Sequence, residues 1–209
     1  MTRQNERLDE FTSVVSHDLR SPLNVADGRL KLAQEECESE HLEDVAASHE
    51  RMNALIDDLL TLAREGEQIS EPEPVELASL TEQCWNAVET ANATLLTEST
   101  SQVRADRSRL QQLLENLLRN AIEHGGADVT VSVGTVDTGF YVEDDGPGIP
   151  ESDRQIVLEF GYSSATEGTG FGLSIVEQVA TSHGWDVRVT EGSEGGARIE
   201  ITDVEFVSQ

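Results

Sequence analysis

The stretch Leu113–His124, LLENLLRNAIEH, places two asparagines one helical turn apart on an apolar background. Asn116 and Asn120 share one face of a helix that we predict over Ser108–His124, because residues four apart lie on the same side. Ser108 and Gln111 are three residues apart and predict a capping box at its start. Amide oxygens suit Mg²⁺ shared with the phosphates of a nucleotide. A solvated polar helix face is the alternative for this motif alone.

Strand and helix patterns alternate on both sides of this helix. Four leucines of the stretch form an apolar face that can pack on a sheet: Leu113, Leu114, Leu117 and Leu118. The remaining segments are predicted as a helix over Leu77–Glu89, strands over Asp128–Val136 and Gly139–Glu143, a helix over Gly170–His183 that ends at Gly184, and a hairpin of Val187–Thr190 and Ala197–Ile201. The fold class is therefore α+β, with a mixed sheet and helices on one face, an α/β sandwich.

The first 70 residues have a different, purely helical pattern. A seam that is apolar apart from His49 recurs at heptad spacing along the second half, at Leu42, Val45, His49, Met52, Ile56, Leu59 and Ala63. A similar series runs from Leu8 to Ala33. We predict an antiparallel helical hairpin that pairs with a second copy as a dimeric four-helix bundle, because one hairpin cannot bury both seams. Pro72 and Pro74 mark a linker, which gives two domains, 1–70 and 71–209.

Two glycine-rich motifs follow strands or precede helices. VEDDGPGIP, residues 142–150, places Asp144 at a strand end, where its carboxylate can accept a hydrogen bond from an exocyclic amine such as that of adenine. GTGFGLSIV, residues 168–176, opens a helix whose free N–H groups can cradle an anion. Each motif alone is also compatible with an ordinary tight turn.

A histidine followed by an aspartate lies on the first predicted helix. In SHDLRSPL, residues 16–23, a neutral His17 imidazole is a competent nucleophile, and the neighbouring Asp18 carboxylate can take its proton. An ordinary surface histidine is the alternative interpretation of this pair.

In this order and spacing the four motifs resemble the catalytic core of the sensor histidine kinases. SHDLRSPL is similar to the H-box of that family, LLENLLRNAIEH to its N-box, VEDDGPGIP to its G1 box and GTGFGLSIV to its G2 box. The resemblance covers roughly residues 5–205 and implies a dimerisation and phosphoacceptor hairpin followed by a GHKL-type ATP-binding domain.

The resemblance also implies roles for single residues. His17 is the expected phosphoacceptor, Asp18 its acid–base partner, and Ser21 occupies the position used in dephosphorylating the partner regulator. The implied metal ligands for Mg²⁺ are Asn120 and Asn116. The implied ATP-binding residues are Asn116, Asn120, His124, Asp144, Gly146, Gly148, Gly168, Thr169, Gly170, Phe171, Gly172 and Leu173, with Glu159–Thr169 as the lid over ATP.

The function implied is that of an ATP-dependent protein histidine kinase. It phosphorylates His17 from Mg·ATP and passes the phosphoryl group to an aspartate on a response-regulator receiver domain. Few residues precede the H-box, so we expect the signal to come from a separate sensor protein or the chain to be a fragment of a longer kinase.

Departures from the family pattern keep two alternatives open. Glu123 and His124 stand where a lysine and an aromatic residue often occur, Leu158 takes an aromatic position before the lid, and no basic residue lies between Arg154 and Arg188. One alternative is a catalytically degenerate dimeric scaffold that binds the regulator without phosphorylating itself. The other is a GHKL-type ATPase or serine kinase that uses the hairpin only to dimerise.

The composition excludes several classes of partner and site. The 209 residues include 14 basic and 41 acidic side chains, a net charge of −27, which opposes binding to nucleic acid or anionic membranes. No apolar stretch is long enough to insert in a membrane, so we expect a cytoplasmic protein. Cys37 and Cys84 are too isolated for a disulfide framework or a zinc site. The acidic excess indicates a haloarchaeal or otherwise salt-adapted source, because concentrated salt screens self-repulsion.

Overall fold

The chain divides into two compact units, Met1–Glu67 and Gln68–Gln209. In this computed structural model the described residues are 19, 21–37, 39–63, 70–88, 90, 92–98, 101–126, 128–158 and 170–207. Within these ranges no helix has the length and apolar character needed to cross a membrane.

The first unit contains two helices joined by a short connection. Helix α1 covers residues 21–36 and α2 covers Glu40–Ala63. A polar cluster joins the helices: His49 Nδ1 lies 2.6 Å from Asp27 Oδ1, and Asn53 donates to Asp27 Oδ2 at 3.3 Å. These contacts pair the middle of α1 with the middle of α2 and fix their register, as expected for a hairpin.

Much of the predicted apolar seam stays open within a single hairpin. Leu23 and Leu30 are buried, whereas Val45 and Met52 remain 41% and 42% exposed. An open apolar groove of about 480 Å³ runs along the hairpin, lined by Leu19, Pro22, Leu23, Ala26, Met52, Leu55 and Ile56. The described part of the hairpin therefore leaves a hydrophobic face open.

The second unit is built on a mixed five-stranded sheet and a small two-stranded one. The strands are β1 (Glu73–Glu76), β2 (Thr94–Thr97), β3 (Gln102–Ala105), β4 (Thr130–Val136), β5 (Gly139–Asp144), β6 (Asp186–Glu191) and β7 (Ala197–Thr202). The larger sheet has the order β2-β4-β5-β7-β6, and only the β2–β4 pair is parallel. Strands β1 and β3 pair antiparallel with each other. This arrangement confirms the α+β class.

The three helices of this unit are α3 (Leu77–Ala87), α4 (Arg107–Gly125) and α5 (Gly172–His183). The predicted helices are confirmed: α3 begins at Leu77 as predicted, whereas the starts of α4 and α5 differ. Asp106, not Ser108, caps α4, because its side chain accepts hydrogen bonds from the N–H groups of Ser108 and Arg109. Helix α5 begins at Gly172, two residues later than predicted, and ends at Gly184, whose φ of 76° is the left-handed conformation expected of a C-terminal glycine.

The core lies between the sheet and the helices. Alternate strand residues are fully or almost fully buried on the helical side, among them Val131, Val133, Phe140, Val142 and Ile201. Leu113, Leu114, Leu117 and Leu118 of α4 are also buried, as predicted from their spacing. Trp185 closes one end of the core, with its ring edge-on to Phe140 and stacked on the imidazole of His183 at 4.2 Å.

His183 connects the end of α5 to the start of α4. Its Nδ1 lies 2.8 Å from the carbonyl oxygen of Val179, and its Nε2 accepts a hydrogen bond from the backbone N–H of Asp106 at 3.0 Å. The Asp106 bond requires an unprotonated Nε2, so the ring is neutral with its proton on Nδ1. Burial lowers the pKa of His183, and the nearby Arg109 adds to this, whereas the Val179 bond and the Asp106 charge act to raise it.

The depressed pKa of His183 predicts acid sensitivity. Below the ordinary histidine pKa of about 6.5 the unfolded chain takes up a proton that the folded site excludes, so stability falls as the pH drops from 7 to 5. His183→Gln, whose amide oxygen can still accept from Asp106, should show a smaller fall in Tm over this range. Thermal unfolding at several pH values measures both, and equal slopes in the two proteins would contradict the assignment.

Candidate nucleotide-binding site

The predicted phosphoacceptor pair and the predicted lid lie outside the described residues. This holds for His17 and Asp18, for Gly168 and Thr169, and for the lid as a whole, Glu159–Thr169. Ser21 is described and is exposed at the start of α1. The other predicted site residues lie in the second unit, where their geometry can be compared directly.

The two asparagines of α4 share a helix but differ in their hydrogen bonding. Asn116 is buried, and its Nδ2 donates to the carbonyl oxygen of Gln112 at 2.9 Å within the same helix. Asn120 has a buried Nδ2 with no hydrogen-bond partner among the described residues. A buried amide without a partner is costly, and a bound ligand can supply the missing acceptor. The unpartnered Nδ2 is a donor and cannot bind a metal, but it can donate to an oxygen of a ligand, which makes Asn120 the stronger candidate of the two for contact with a bound molecule.

The start of α5 lies directly against Asn120. A Cβ added at Gly172 would be 2.9 Å from Asn120 Oδ1 and 3.1 Å from its Nδ2. Phe171, at the N-cap of α5, offers no side chain to the first N–H groups of the helix. Gly170 has a φ of 73°, and Leu173 lies in the first turn. The predicted G2 glycine and the predicted N-box amide thus meet at one helix N-terminus, where backbone N–H groups and the helix dipole favour an anion.

Asp144, at the end of β5, is held in place by two backbone donors. Its Oδ1 accepts from Gly146 N–H at 2.9 Å and from Ala197 N–H at 3.2 Å. Burial raises its pKa, while these two bonds and the charge of the exposed His124 act to lower it and Asp145 acts to raise it. Only Oδ1 has protein partners among the described residues, so Oδ2 can accept from a ligand amine.

The turn after Asp144 touches the C-terminal end of α4. A Cβ at Gly146 would lie 2.5 Å from the Cα of Gly125, the last residue of α4. Gly148 has a φ of 72°, and a Cβ there would meet the carbonyl oxygen of Gly195 at 2.9 Å. The turn therefore requires glycine at 146 for space and at 148 for both conformation and space.

The β6–β7 turn forms a further wall of the site that sequence patterns did not reveal. Glu143 accepts from Ser193 Oγ at 2.9 Å and from its N–H at 3.3 Å, while the adjacent Asp144 binds Ala197 N–H. A Cβ at Gly196 would overlap the carbonyl oxygen of Asp144. The glycine pair at 195 and 196 predicts a hairpin turn, although paired glycines can also signal a close backbone approach.

Basic side chains are scarce around this site, as the sequence predicted. Arg154 is engaged elsewhere, with Nε donating to the carbonyl oxygen of Ile149 at 3.0 Å and Nη2 lying 3.4 Å from Glu191 Oε2. Arg119 is half-buried on α4. Backbone N–H groups at the start of α5 are therefore the main donors that the described residues offer to a phosphate.

These residues fit Mg·ATP. Asp144 and the two glycine turns form one side, where a carboxylate oxygen can accept from an adenine amine. Asn120 and the start of α5 form the other, with an amide nitrogen that has no acceptor among the described residues and with backbone donors for phosphate. Magnesium ions accept amide oxygens as ligands, so Asn120 can hold one against the phosphates.

Gly172→Ala should weaken Mg·ATP binding without unfolding the domain. The added methyl group displaces the Asn120 amide, whereas alanine is the better helix former by about 1 kcal/mol. We expect a loss of about tenfold in ATP affinity, or about 1.4 kcal/mol, measured by calorimetry or a fluorescent ATP analogue. The control is Asn120→Ala, which removes the amide that the methyl group would displace. Adding Gly172→Ala to that variant should cause no further loss, and a further tenfold loss would contradict the assignment.

Comparison with known domain families identifies both units. Residues 7–68 match the model of the His Kinase A (phospho-acceptor) domain, and residues 105–205 match that of the histidine kinase-, DNA gyrase B-, and HSP90-like ATPases. His17 falls in the first match, and the Asn120, Asp144 and Gly172 geometry falls in the second.

Curated relatives align along almost the whole chain. The signal transduction histidine-protein kinase AfsQ2 of Streptomyces coelicolor is 30% identical, and the kinase/phosphatase MprB of Mycolicibacterium smegmatis is 33% identical, each over 94% of this chain. The chain spans under half of their lengths, 42% and 44%.

Solved structures show the same similarity. Full-length ShkA in complex with AMPPNP is 25% identical with a TM-score of 0.69 and matches 96% of this chain and 47% of its own. The mycobacterial sensor histidine kinase MprB is 29% identical with a TM-score of 0.55, over 65% of this chain and 97% of its own. The chain is therefore homologous to the sensor histidine kinases and carries the two domains of their kinase core, a phospho-acceptor domain followed by a histidine kinase-type ATPase domain.

Proposed function

We propose that this chain is the catalytic core of a two-component kinase that phosphorylates His17 from Mg·ATP. The observation that carries the proposal is the meeting of Asn120 with Gly172 beside an uncapped helix N-terminus. This contact places the Asn120 amide next to the backbone donors at the start of α5. The turn after Asp144 contacts the C-terminal end of α4, the helix that carries Asn120. The phospho-acceptor match over residues 7–68 supplies the substrate histidine.

The residues of this chain have separate roles in the proposed reaction. Asp144 accepts a hydrogen bond from the adenine amine, while the N–H groups at the start of α5 bind phosphate oxygens. Asn120, with Asn116 as the weaker candidate, holds the Mg²⁺ that neutralises phosphate charge. A nitrogen of His17 attacks the γ-phosphorus in line, Asp18 takes the proton, and the bond to the β-phosphate oxygen breaks to release ADP.

The phosphoryl group then passes to an aspartate of a response-regulator receiver domain. The hairpin that carries His17 is the proposed docking site. Its helix α1 carries apolar side chains that remain accessible, with Val25 64% and Leu32 54% exposed. The exposed Ser21 is the proposed participant in dephosphorylation of the regulator.

A second copy of this chain is the proposed occupant of the open hairpin groove. Its lining is apolar, and Val45 and Met52 of the heptad series are more than 40% exposed although their spacing is that of a buried seam. Pairing two hairpins into a four-helix bundle buries both faces. The homodimer is thus supported by surface that one hairpin leaves uncovered.

A degenerate scaffold is the second candidate function. It is favoured by one observation: Arg154, the last arginine before the lid, is bonded to Ile149 and Glu191. Cationic side chains normally stabilise the charge that develops in phosphoryl transfer. A scaffold of this kind would bind ATP and the regulator but leave His17 unmodified.

Incubation with γ-labelled ATP and Mg²⁺ separates these functions. We expect label in the wild type, lost in acid and kept in alkali, and none in His17→Gln, because a phosphoramidate forms only on that imidazole. ATP binding without label would favour the scaffold. Acid-stable, alkali-labile label would indicate a serine kinase, and label that persists in His17→Gln would show that the acceptor is wrong.

We also propose that the protein is cytoplasmic, receives its signal from a separate sensor protein or a further segment, and is adapted to high salt. A net charge of −27 on 209 residues supports the adaptation, because such self-repulsion is screened within about 3 Å only near 1 M salt. The relatives named above come from Streptomyces and Mycolicibacterium and give no support to a haloarchaeal source.

Thermal unfolding across a potassium chloride series tests the salt adaptation. We expect Tm to rise steadily between about 0.1 and 2 M salt, since the Debye length falls from about 10 Å to below 3 Å over this range. Sodium sulfate at matched ionic strength serves as a comparison, because it also strengthens apolar burial. A Tm that stays constant or falls in potassium chloride would contradict the proposal.

A further inference from the structure

The side chain of Asp106 joins the segment that follows the hairpin to the first turn of α4. Its Oδ2 accepts from the backbone N–H of Ser70 at 2.8 Å. Its Oδ1 accepts from Ser108 N–H, Ser108 Oγ and Arg109 N–H at 2.9, 2.7 and 3.2 Å. Asp106 is only 5% exposed, and its two oxygens have different partners, since Oδ1 caps the helix and Oδ2 holds Ser70.

The backbone of Asp106 extends this connection to α5. Its N–H donates to His183 Nε2 at 3.0 Å, so one residue contacts the linker, the start of α4 and the end of α5. These are the two helices that present Asn120 and Gly172. Burial acts to raise the pKa of Asp106, but the hydrogen bonds from Ser108, Ser70 and Arg109 outweigh it and hold the pKa below its usual range. The acceptor is therefore a carboxylate at neutral pH, and such charged bonds are the stronger ones.

Ser70 is the first point at which the described linker is attached to the second unit. The next are Pro72, whose carbonyl oxygen accepts from Arg104 at 3.3 Å, and β1, whose Glu73 pairs with Ala105. The side chain of Arg104 is 44% exposed, so its bond is weaker than the part-buried one at Asp106, whose acceptor is a buried carboxylate.

We propose that Asp106 is a positioning residue for phosphoryl transfer to His17, through its hold on Ser70. The inference rests on the proposed function. Holding Ser70 sets where the polypeptide leaves the ATP-binding unit and how many residues separate that point from the phosphoacceptor hairpin. It thereby determines how readily bound ATP is presented to His17, while leaving the nucleotide site itself unchanged.

The effect on chain reach follows from residue counts. Six residues separate Ala63, the last residue of α2, from Ser70, and they span at most about 20 Å. Without the Ser70 bond, eight residues separate Ala63 from Pro72, with a limit of about 27 Å. The longer tether lowers the effective concentration of the ATP-binding unit at His17 by about 1.5-fold. Without the Ser70 bond, the polypeptide also leaves the ATP-binding unit in no fixed direction. The unit must then find the orientation required for phosphoryl transfer to His17, which lowers the rate further.

The variant Asp106→Asn keeps one role of Asp106, the N-cap of α4, and removes the other, the bond to the N–H of Ser70. Asparagine is a preferred N-cap residue, so its amide oxygen still accepts from Ser108 and Arg109. Its NH₂ group then faces the N–H of Ser70, and two donors cannot bond. Ser70→Pro removes the same bond from the other side, because proline has no N–H. Ser70→Ala keeps the N–H and removes only the hydroxyl, which also hydrogen-bonds to Asp106, so it measures how much the hydroxyl contributes to the hold.

The full chain is assayed for Mg·ATP affinity and for the rate of His17 labelling at saturating ATP. We expect Asp106→Asn and Ser70→Pro each to lower the labelling rate at least about threefold, with ATP affinity within about twofold of wild type. Ser70→Ala keeps the backbone bond and loses only the hydroxyl bond, so it should label faster than Ser70→Pro and no faster than the wild type. The double variant Asp106→Asn/Ser70→Pro should be no slower than either single one.

The possible outcomes distinguish this inference from the proposed function. An unchanged or increased labelling rate in Asp106→Asn, or a loss of ATP affinity that accounts for the lower rate, would overturn the positioning role while the kinase function stands. Additive effects in the double variant would overturn it as well, since the two changes would not then act through one bond. Absence of label in the wild type itself would overturn the proposed function and this inference with it.

Discussion

The site depends on how closely the backbone of other segments can approach the C-terminal half of α4. Gly146 lies against Gly125, and Gly172 lies against the amide of Asn120, with no room for a methyl group at either contact. Interiors are packed densely enough that one added carbon must displace a neighbour. These two contacts bring a turn and a helix N-terminus to the same helix, so the position of α4 on the sheet determines the geometry of the whole site.

On the sheet side of the site, charged side chains fix the position of the β6–β7 turn. Glu143 is paired with Arg198 at 3.1 Å and with Ser193, while Arg198 lies 3.6 Å from the ring centroid of Tyr141. Half-buried charges need such partners, because desolvation is otherwise unfavourable. The network attaches the β6–β7 turn to the end of β5 and leaves Asp144 to be oriented by backbone N–H groups. A ligand can then meet a carboxylate that is already in position.

In the hairpin, different interactions set the register of the helices and provide their burial. Its internal register is set by a polar cluster of Asp27, His49 and Asn53, whereas much of its apolar surface has no partner within the described part of the unit. Polar contacts of this kind give specificity, and apolar burial gives stability. The proposed association with a second copy supplies the burial, and the polar cluster ensures that the hairpin presents one defined surface for it.

Local patterns in the sequence were enough to predict the helical hairpin, the three helices of the second unit, the strand hairpins β4–β5 and β6–β7, and the four motifs. Helix periodicity, strand alternation and the glycine that terminates α5 are all signals that extend over only a few residues. Strands β1, β2 and β3 were missed because each has four residues and pairs with a segment distant in sequence, as Thr94 does with Thr130. Four residues do not show a period that distinguishes a strand from a loop.

The sequence by itself determined which chemical groups are present and in what order, from His17 through Asn120 and Asp144 to Gly172. Only the tertiary structure decided how they are used. Serine favours the N-cap position, which made Ser108 the predicted cap of α4, yet its hydroxyl donates to Asp106, the residue at which β3 gives way to the helix. Asn116 and Asn120 have the same side chain, but Nδ2 of Asn116 donates within its helix and Nδ2 of Asn120 has no acceptor among the described residues. Such differences depend on which distant segment lies beside each group, and residue type and spacing do not encode that neighbour.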